Sequence, residues 1–182
     1  MNAARRTDPQ RRDRIIDACL RVIAEEGVAG ASHRRIAVEA DVPLGSMTYH
    51  FAGMDELLQA AFNRFADTVA DRFEARMTAA ATPDEARMAV VDIIVKDVFS
   101  HPGDLVLTHE IYTLAARRPE FRTITDRWMT RSRIALRRHF DADTTMVLDA
   151  LITGLTIHRA LTAGPVDDAL VVEAVDRMLR GT

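Results

Sequence analysis

The chain has 182 residues, 48% of them hydrophobic, and a formal net charge of −3. This length can form one large domain or a small domain joined to a medium one, and the apolar content is enough for a buried core. A single cysteine, Cys19, excludes a disulfide framework and favours a reducing, cytoplasmic setting. Polar residues follow the Arg5-Arg6 pair, and no apolar run reaches about 18 residues, so we expect neither an export signal nor a membrane span.

The N-terminal segment is basic, whereas the rest of the chain is acidic. Residues 1–14 contain five arginines and two aspartates. Runs of charge usually mark a solvated surface, so this pattern alone indicates a nucleic-acid partner only weakly. We predict a basic N-terminal arm that carries Arg5, Arg6, Arg11 and Arg12.

Helical spacing of apolar residues runs through the whole chain. Each of the six prolines precedes or opens such a segment, as expected where the missing N–H falls on the unpaired first turn. Thr82, Pro83 and Glu85 form the clearest start, because they have the order of a capping box. No stretch alternates like a strand, so we predict an all-α fold. The spacing predicts nine helices, at about residues 9–26, 33–40, 44–51, 55–80, 83–99, 103–117, 119–139, 143–163 and 166–180.

The predicted helices form two groups. The first three are short and closely spaced, and most of those after residue 54 are long. We therefore predict an N-terminal domain at residues 1–52 and a helical domain at residues 53–182. Because the fourth helix begins directly after the third, movement of that long helix would be transmitted to the short ones.

The second and third helices have the spacing of a helix-turn-helix. Helix 33–40 directs Ile36 inward, three residues turn the chain, and helix 44–51 returns Met47 and Phe51 to the same core. In such a unit the second short helix lies in the major groove of DNA. A solvated surface on a small helical bundle has the same spacing, so spacing alone leaves both interpretations open.

Specific residues in this region resemble a known family. They are Gly27 at the end of helix 1, Ser32 at the start of helix 2, Ile36-Ala37, the turn before Val42, Gly45, Tyr49-His50-Phe51 and Leu57. In their order and spacing, residues 11–62 are similar to the N-terminal domain of the TetR family of bacterial transcriptional regulators. The rest of the chain agrees with that family only in being helical and of suitable length.

The resemblance implies a dimeric regulator, a repressor rather than an activator, that binds a palindromic double-stranded operator. A small, mostly apolar effector would release it. Arg34 would reach a guanine, Leu44 would contact a thymine methyl, and Gly45 would let the backbone approach closely. Leu44, Gly45 and Ser46 would face bases, and Thr48, Tyr49 and His50 would contact phosphates. The residues implied at the DNA are Ser32, His33, Arg34, Arg35, Leu44, Gly45, Ser46, Thr48, Tyr49 and His50.

Four positions depart from the pattern of the family. Asp41 occupies a turn position that is often glycine, which Asp tolerates because it enters the left-handed region more readily than most residues. Pro43 stands where a capping Ser is common, so the first amides of helix 3 need another partner. Thr48 replaces a frequent Tyr and Met54 a common Lys, which weakens two usual phosphate contacts.

The helices between residues 83 and 139 have the composition of a ligand pocket. Large apolar side chains there are interspersed with a few polar ones, as in pockets for small molecules. A plain hydrophobic core has the same composition, so the prediction of a pocket rests on the resemblance. The predicted lining is Phe65, Val95, Phe99, His109, Tyr112, Thr113 and Trp128.

The last two helices suit a four-helix dimer interface, which is also where TetR-like regulators dimerise. Helix 143–163 is apolar on more than one face, and the core of one monomer uses only one face. A buried central helix of a monomer is the competing interpretation. The predicted contacts with the partner are Leu151, Gly154, Leu155, Leu170 and Val175.

Enzymatic interpretations find no support in the sequence. His101, His109, His139 and His158 are not spaced for a metal pair on one helix, and the chain has no phosphate-binding loop or nucleophile elbow. We therefore expect no metal and no cofactor. Two alternatives to a ligand-responsive regulator stay open. They are a DNA-binding protein of the same fold controlled by a protein partner, and a helical enzyme or binding module with a vestigial helix-turn-helix.

Overall fold

The computed structural model describes residues 8–97, 101, 103–164 and 167–180, and the regular secondary structure in these ranges is all helical, as predicted. Nine α-helices lie in these ranges, together with a short π-helical segment, Ile93–Asp97, that follows the fifth. The helices are α1 Arg11–Gly30, α2 His33–Glu39, α3 Gly45–His50, α4 Met54–Ala79, α5 Pro83–Asp92, α6 Asp104–Arg117, α7 Pro119–Leu136, α8 Ala142–Leu161 and α9 Asp168–Arg180.

Local signals set several of the helix ends. The Ser32 hydroxyl accepts a hydrogen bond from the backbone N–H of Arg35 and so caps α2. Thr82 and Glu85 form the predicted capping box at α5. Asp41 lies in the left-handed region with φ 50°, which confirms its expected role in the turn between α2 and α3. Gly27, with φ 70°, interrupts α1, and one further turn of helix follows it.

The N-terminal arm is shorter than the sequence suggested. Arg11 and Arg12 lie in the first turn of α1, because the helix begins at Arg11. The Arg12 guanidinium lies 5.0 Å above the centre of the Phe51 ring, so part of the predicted arm packs against the end of α3. Arg5 and Arg6 lie outside the described residues.

One hydrophobic core joins the three short helices to the long ones. This first core contains Ile16, Cys19 and Ile23 of α1 together with Ile36 of α2 and Met47 of α3. It continues without a break into α4, α6 and α7 through Leu57, Phe62, Ile111, Phe121 and Ile124. Because these helices share one apolar interior, α1–α3 are fixed directly to α4, α6 and α7.

A second core lies at the other end of the molecule. It is formed by α5, α8 and α9 with the end of α4 and of α7, and its buried members include Met77, Val90, Leu136, Leu148 and Val171. The predicted boundary between residues 52 and 53 therefore falls inside the first core and not between the two cores. No helix in the described ranges is long and apolar enough to cross a bilayer.

Candidate functional site

The exposed side of α2 and α3 is a surface that carries both apolar and polar side chains. Tyr49 is 83% exposed, and Val38 and Leu44 are also largely exposed, although all three have large hydrophobic side chains. An added Cβ at Gly45 would meet no atom within 4 Å, so this backbone is open to a close approach. Exposed apolar groups beside bare backbone suit contact with base edges and thymine methyls.

The polar residues predicted to contact DNA differ in their exposure and in their contacts. Thr48 is exposed, and its hydroxyl donates to the Gly45 carbonyl oxygen over 3.3 Å. His50 is half-buried, and its ring lies edge-on to that of Tyr49. Ser32 is exposed, but its oxygen already caps α2.

Two predicted contacts point away from solvent. Ser46 was expected to face bases, yet its side chain is buried because this side of the short α3 packs on the first core. The ring of His33 is half-buried, and its Nε2 is enclosed without a hydrogen-bond partner in the described part of the chain. The exposed surface is therefore smaller than the predicted set of ten residues.

The neighbours Arg34 and Arg35 have opposite environments. Arg35 forms ion pairs with Glu25, Glu26 and Glu39, and hydrogen bonding to Glu26 is the largest cause of its raised pKa. Arg34 is exposed and forms no ion pair with any residue in the described ranges. The guanidinium of Arg34 is thus available for an intermolecular contact at this surface, whereas the ion pairs of Arg35 hold α2 on α1.

A cavity of about 80 Å³ lies between the two cores. Phe65 and Trp128 reach it from the first core, and Ile93 and Ile152 reach it from the second. The remaining lining residues are Val69, Arg72, Phe73, Asp97, Asp104, Thr108, Tyr112, Met129, Ser132, Asp149, Thr153, Thr156 and Ile157.

Three of the seven residues predicted for a pocket line this cavity, namely Phe65, Tyr112 and Trp128. Val95 instead packs on the second core, and Thr113 is exposed on the outer side of α6. His109 is also exposed, and its ring nitrogen Nδ1 lies 2.8 Å from the Leu105 carbonyl oxygen one turn earlier. Phe99 lies outside the described residues.

Aromatic rings form one wall of the cavity. The rings of Tyr112 and Trp128 are nearly parallel, with 8° between their planes and 6.1 Å between their centres. Phe65 meets Trp128 edge to face at 5.8 Å. Burial and, to a smaller extent, the negative charge of Asp149 raise the pKa of the Tyr112 phenol. Asp149 lines the same cavity as these rings.

Sequence reasoning missed the charged part of the lining. Asp97, Asp104 and Asp149 each pair with an arginine, at 2.7, 3.0 and 2.7 Å respectively. These carboxylates follow no common spacing, since they come from the π-helical segment, α6 and α8. Only folding brings them to one cavity.

Helix α6 connects the cavity to α1. Asp104 lines the cavity, and the preceding Gly103 is so close to α1 that an added Cβ would lie 2.5 Å from the Ala24 Cβ. A Cβ at Gly27 would similarly lie 2.6 Å from the Glu110 carboxylate. A displacement of α6 would thus press on the helix that supports α2 and α3.

Helix α8 presents an apolar stripe on its outer side. Val147 and Leu161 are 54% and 64% exposed, and Leu151 and Gly154 lie between them on the same helical face. A Cβ added at Gly154 would meet no atom within 4 Å, and Leu170 of α9 is 66% exposed. We call Val147, Leu151, Gly154, Leu161 and Leu170 the outer apolar face.

Not all predicted dimer contacts belong to this face. Val175 is fully buried, because it forms part of the second core between α9 and its neighbours. It therefore stabilises the monomer and does not reach a partner. Leu151 and Leu155 are half-buried and pack partly on the same core.

Within the described residues, no group of three or more His, Cys, Asp or Glu side chains has the arrangement of a metal site. The buried Cys19 belongs to the first core, and burial raises the pKa of its thiol to about 12. Such a thiol is a packing residue and not a nucleophile.

Two family models match different parts of the chain. Residues 15–61 match the family model of bacterial regulatory proteins of the TetR family. Residues 81–181 match the model of the tetracycline repressor-like C-terminal domain. Together the two models cover most of the chain.

Solved structures resemble the chain over nearly its whole length. SCO7518 of Streptomyces coelicolor A3(2) is 55% identical, with a TM-score of 0.87, over 93% of this chain and 98% of that one. The multidrug binding protein EbrR, complexed with ethidium, is 33% identical, with a TM-score of 0.76, over 92% of this chain and 98% of that one. Other EbrR structures hold imidazole, proflavin and malachite green.

A curated relative matches the DNA-binding part. The HTH-type transcriptional regulator PksA of Bacillus subtilis (strain 168) is 43% identical over 65 residues, which are 36% of this chain. The match covers only 32% of the length of PksA.

Proposed function

Because the chain belongs to the TetR family of bacterial regulatory proteins, we propose that it is a dimeric repressor that releases a palindromic operator when a small molecule fills the cavity between its two cores. Proteins of this family are transcriptional regulators that bind DNA through a helix-turn-helix. The family assignment removes the alternative of a helical enzyme with a vestigial helix-turn-helix.

The proposed DNA contacts come from the exposed side of α2 and α3. Arg34 carries a free guanidinium that can bind O6 and N7 of a guanine, and Leu44 can contact a thymine methyl. Residues 42–51 contain no Lys or Arg, so little phosphate neutralisation comes from α3. We expect Arg5 and Arg6 to supply part of it, in addition to Arg12 near the end of α3.

The proposed dimer uses the outer apolar face. Its exposed members lie along one side of α8 and on α9, and a surface of this kind is normally covered in a stable protein. Gly154 leaves room for the close crossing of a partner helix. Two copies joined in this way would present two recognition helices to a palindrome, whose half-sites lie about 34–36 Å apart.

The proposed effector acts by moving helices. The cavity of about 80 Å³ is smaller than the roughly 300–1,000 Å³ of typical small-molecule sites. A bound molecule must therefore displace lining helices, and α6 is in contact with α1 through Gly103 and Ala24. EbrR, with a similar fold and 33% identity, is a multidrug binding protein that holds several small molecules, which supports an effector here.

The observation that carries this proposal is the cavity itself, because it lies between the two cores and its lining includes residues of α4, α6 and α7, which share the first core with α1–α3. The dimer can have its recognition helices at the spacing of the operator half-sites or at a different spacing. An effector that binds better to the second state weakens operator binding by the difference between its affinities for the two states.

The test begins with DNA from both sides of the gene that encodes this chain. We expect the wild-type protein to protect an inverted repeat in a footprint, and we expect Arg34→Ala to bind that repeat more weakly. Compounds are then screened for release of the labelled repeat and for perturbation of Trp128 fluorescence at the same concentrations. Release by a partner protein, with no compound that affects Trp128, would favour the partner-controlled alternative instead.

A further inference from the structure

Two mostly buried residues contribute hydroxyl groups to the lining of the cavity. Thr108 and Ser132 are only 5% and 7% exposed, both line the cavity, and neither hydroxyl has a hydrogen-bond partner in the described ranges. Buried polar groups in folded proteins are normally hydrogen-bonded, because leaving one unpaired costs free energy. Because both line the cavity, an occupant with polar groups could hydrogen-bond to them.

Carboxylates outnumber guanidinium groups among the lining residues. Three carboxylates, of Asp97, Asp104 and Asp149, line the cavity, and Arg72 is the one cation among the lining residues. Arg76 and Arg133, which pair with Asp97 and Asp149, are not part of the lining. The lining thus contributes three carboxylates and one guanidinium, and each of these carboxylates has an arginine partner.

Asp149 is the carboxylate best placed to meet an occupant. Its side chain is 16% exposed, and its Oδ2 accepts a hydrogen bond of 2.7 Å from the Arg133 Nε. Its other oxygen, Oδ1, accepts no hydrogen bond from the described residues. A carboxylate oxygen that is mostly buried and half satisfied favours a cation or an N–H donor.

The aromatic wall stands beside this carboxylate. Tyr112 and Trp128 are stacked, and Asp149 lines the same small cavity. Aromatic faces attract cations and stack on flat rings, and both effects strengthen where water is excluded.

We propose that the cavity binds a flat aromatic cation, which stacks on the wall of Tyr112 and Trp128, places its positive group beside the Asp149 carboxylate and donates hydrogen bonds to Ser132 and Thr108. The proposal rests on the proposed function of the cavity as an effector site and names the chemical class of the effector.

Other classes of ligand fit the lining less well. An anion would meet three carboxylates and one guanidinium among the lining residues, and that guanidinium, of Arg72, already pairs with Asp104. A neutral hydrocarbon would fill the apolar part of the wall and would leave the Asp149 oxygen and the two hydroxyls desolvated and unpaired.

The first experiment compares two probes on the wild-type protein without DNA. Proflavin is a tricyclic cation near neutral pH, whereas acridine has the same three rings and is largely uncharged there. Binding is followed by quenching of Trp128, the single tryptophan of the chain. We expect proflavin to bind about tenfold more tightly than acridine, because only proflavin gains the carboxylate and cation–π interactions. Equal affinities would overturn the proposal.

The second experiment separates the charge of Asp149 from its ion pair with Arg133. Asp149→Asn should weaken proflavin binding about tenfold and leave acridine binding nearly unchanged. Arg133→Gln breaks the same ion pair but keeps the carboxylate, so proflavin should bind at least as tightly as to the wild type. A purely structural role of the pair predicts instead that both variants lose affinity equally for both probes.

A matched control removes an ion pair of the same type elsewhere. Asp176 pairs with Arg87 at 2.8 Å, and neither residue lines the cavity. Asp176→Asn should change the affinity for proflavin by less than about twofold, because distant sites act independently. A loss as large as that of Asp149→Asn would show that the effect is general destabilisation and would overturn the proposal.

These outcomes are distinct from failure of the proposed function. If the protein binds proflavin more tightly than acridine but stays on a labelled operator, the proposed ligand class is correct and the cavity is not an effector site. If neutral compounds release the operator and the cation is not preferred, the cavity is an effector site and the proposed ligand class is wrong.

Discussion

The two cores of the molecule differ in what they hold together. The first core contains side chains of α1 and of the DNA-reading helices α2 and α3, and it continues into α4, α6 and α7. The second core joins α5, α8 and α9, and the outer apolar face lies on the far side of the same α8 and α9. One core therefore fixes the DNA-reading helices, and the other supports the proposed dimer contact.

This difference explains why the boundary between the cores matters. The cavity takes its lining from both, through Phe65 and Trp128 on one side and Ile93 and Ile152 on the other. A molecule placed there must move one core relative to the other, because packed interiors do not deform continuously. In the proposed dimer, which is joined through the outer apolar face on α8 and α9, such a movement would change the spacing of the DNA-reading helices.

The largest effect is expected from breaking the outer apolar face. The double substitution Val147→Glu and Leu161→Glu places charges on residues that are already 54% and 64% exposed, so the monomer should still fold. Light scattering should report a monomer, and operator affinity should fall by about 100-fold or more, because the second half-site contact is no longer intramolecular. Met88→Glu, on α5 with 41% exposure, is the control and should remain dimeric. A dimeric double variant would place the interface elsewhere.

The contact between α6 and α1 can be broken with a matched pair of glycines. Gly103 and Gly164 both have positive φ, at 89° and 113°, but only Gly103 has a neighbour in the way, the Ala24 Cβ. Gly103→Ala should therefore lower the free energy of unfolding by about 1–3 kcal/mol more than Gly164→Ala. Denaturant titration with both variants measures the difference. Equal losses would mean that α6 and α1 are not tightly packed at this point.

A comparison of Arg34 with Arg35 sharpens the account of the DNA-reading end. Arg34→Ala should cost about 1–3 kcal/mol at one base pair of each half-site, since its guanidinium is free to reach a base. Arg35→Ala should lower the thermal midpoint, because it breaks ion pairs to Glu25, Glu26 and Glu39, and should leave base preference unchanged. Binding to operators substituted at each position separates the two roles. A change of base preference in Arg35→Ala would assign that residue to the DNA instead.

The smallest effect concerns Cys19 inside the first core. Burial raises the pKa of this thiol to about 12, so almost no thiolate is present near neutral pH. An aromatic disulfide reagent should leave the folded protein unmodified for hours and react at once in denaturant. Rapid modification of the native protein would show that the first core opens easily.

The features that sequence predicted well depend on near neighbours in the chain. The capping box at α5 and the left-handed turn at Asp41 were predicted because the groups that decide them lie within a few residues. The resemblance to the TetR family came from the same region, where order and spacing of residues are specific. Features that depend on such local signals can be predicted without knowing how the helices pack.

The features that sequence missed depend on packing between distant segments. Val175 and Leu170 both look like interface residues on an apolar helix, but one is buried in the second core and the other is exposed. His109 and Thr113 have the composition of pocket residues and lie on the outer side of α6. When a helix is apolar on two faces, the periodicity of its sequence does not show which face is buried in the monomer.

The most direct test of the central claim is the distance between the DNA-reading helices of the dimer. A spin label at Ala52→Cys in a Cys19→Ser background stands between α3 and α4 at an exposed position. Pulsed electron resonance should give one narrow distance distribution for the dimer on its operator, where the recognition helices lie about 34–36 Å apart. In the free dimer, saturating proflavin should shift that distribution away from the operator-bound distance or broaden it. An unchanged distribution, with Trp128 quenching proving that the probe is bound, would contradict the account.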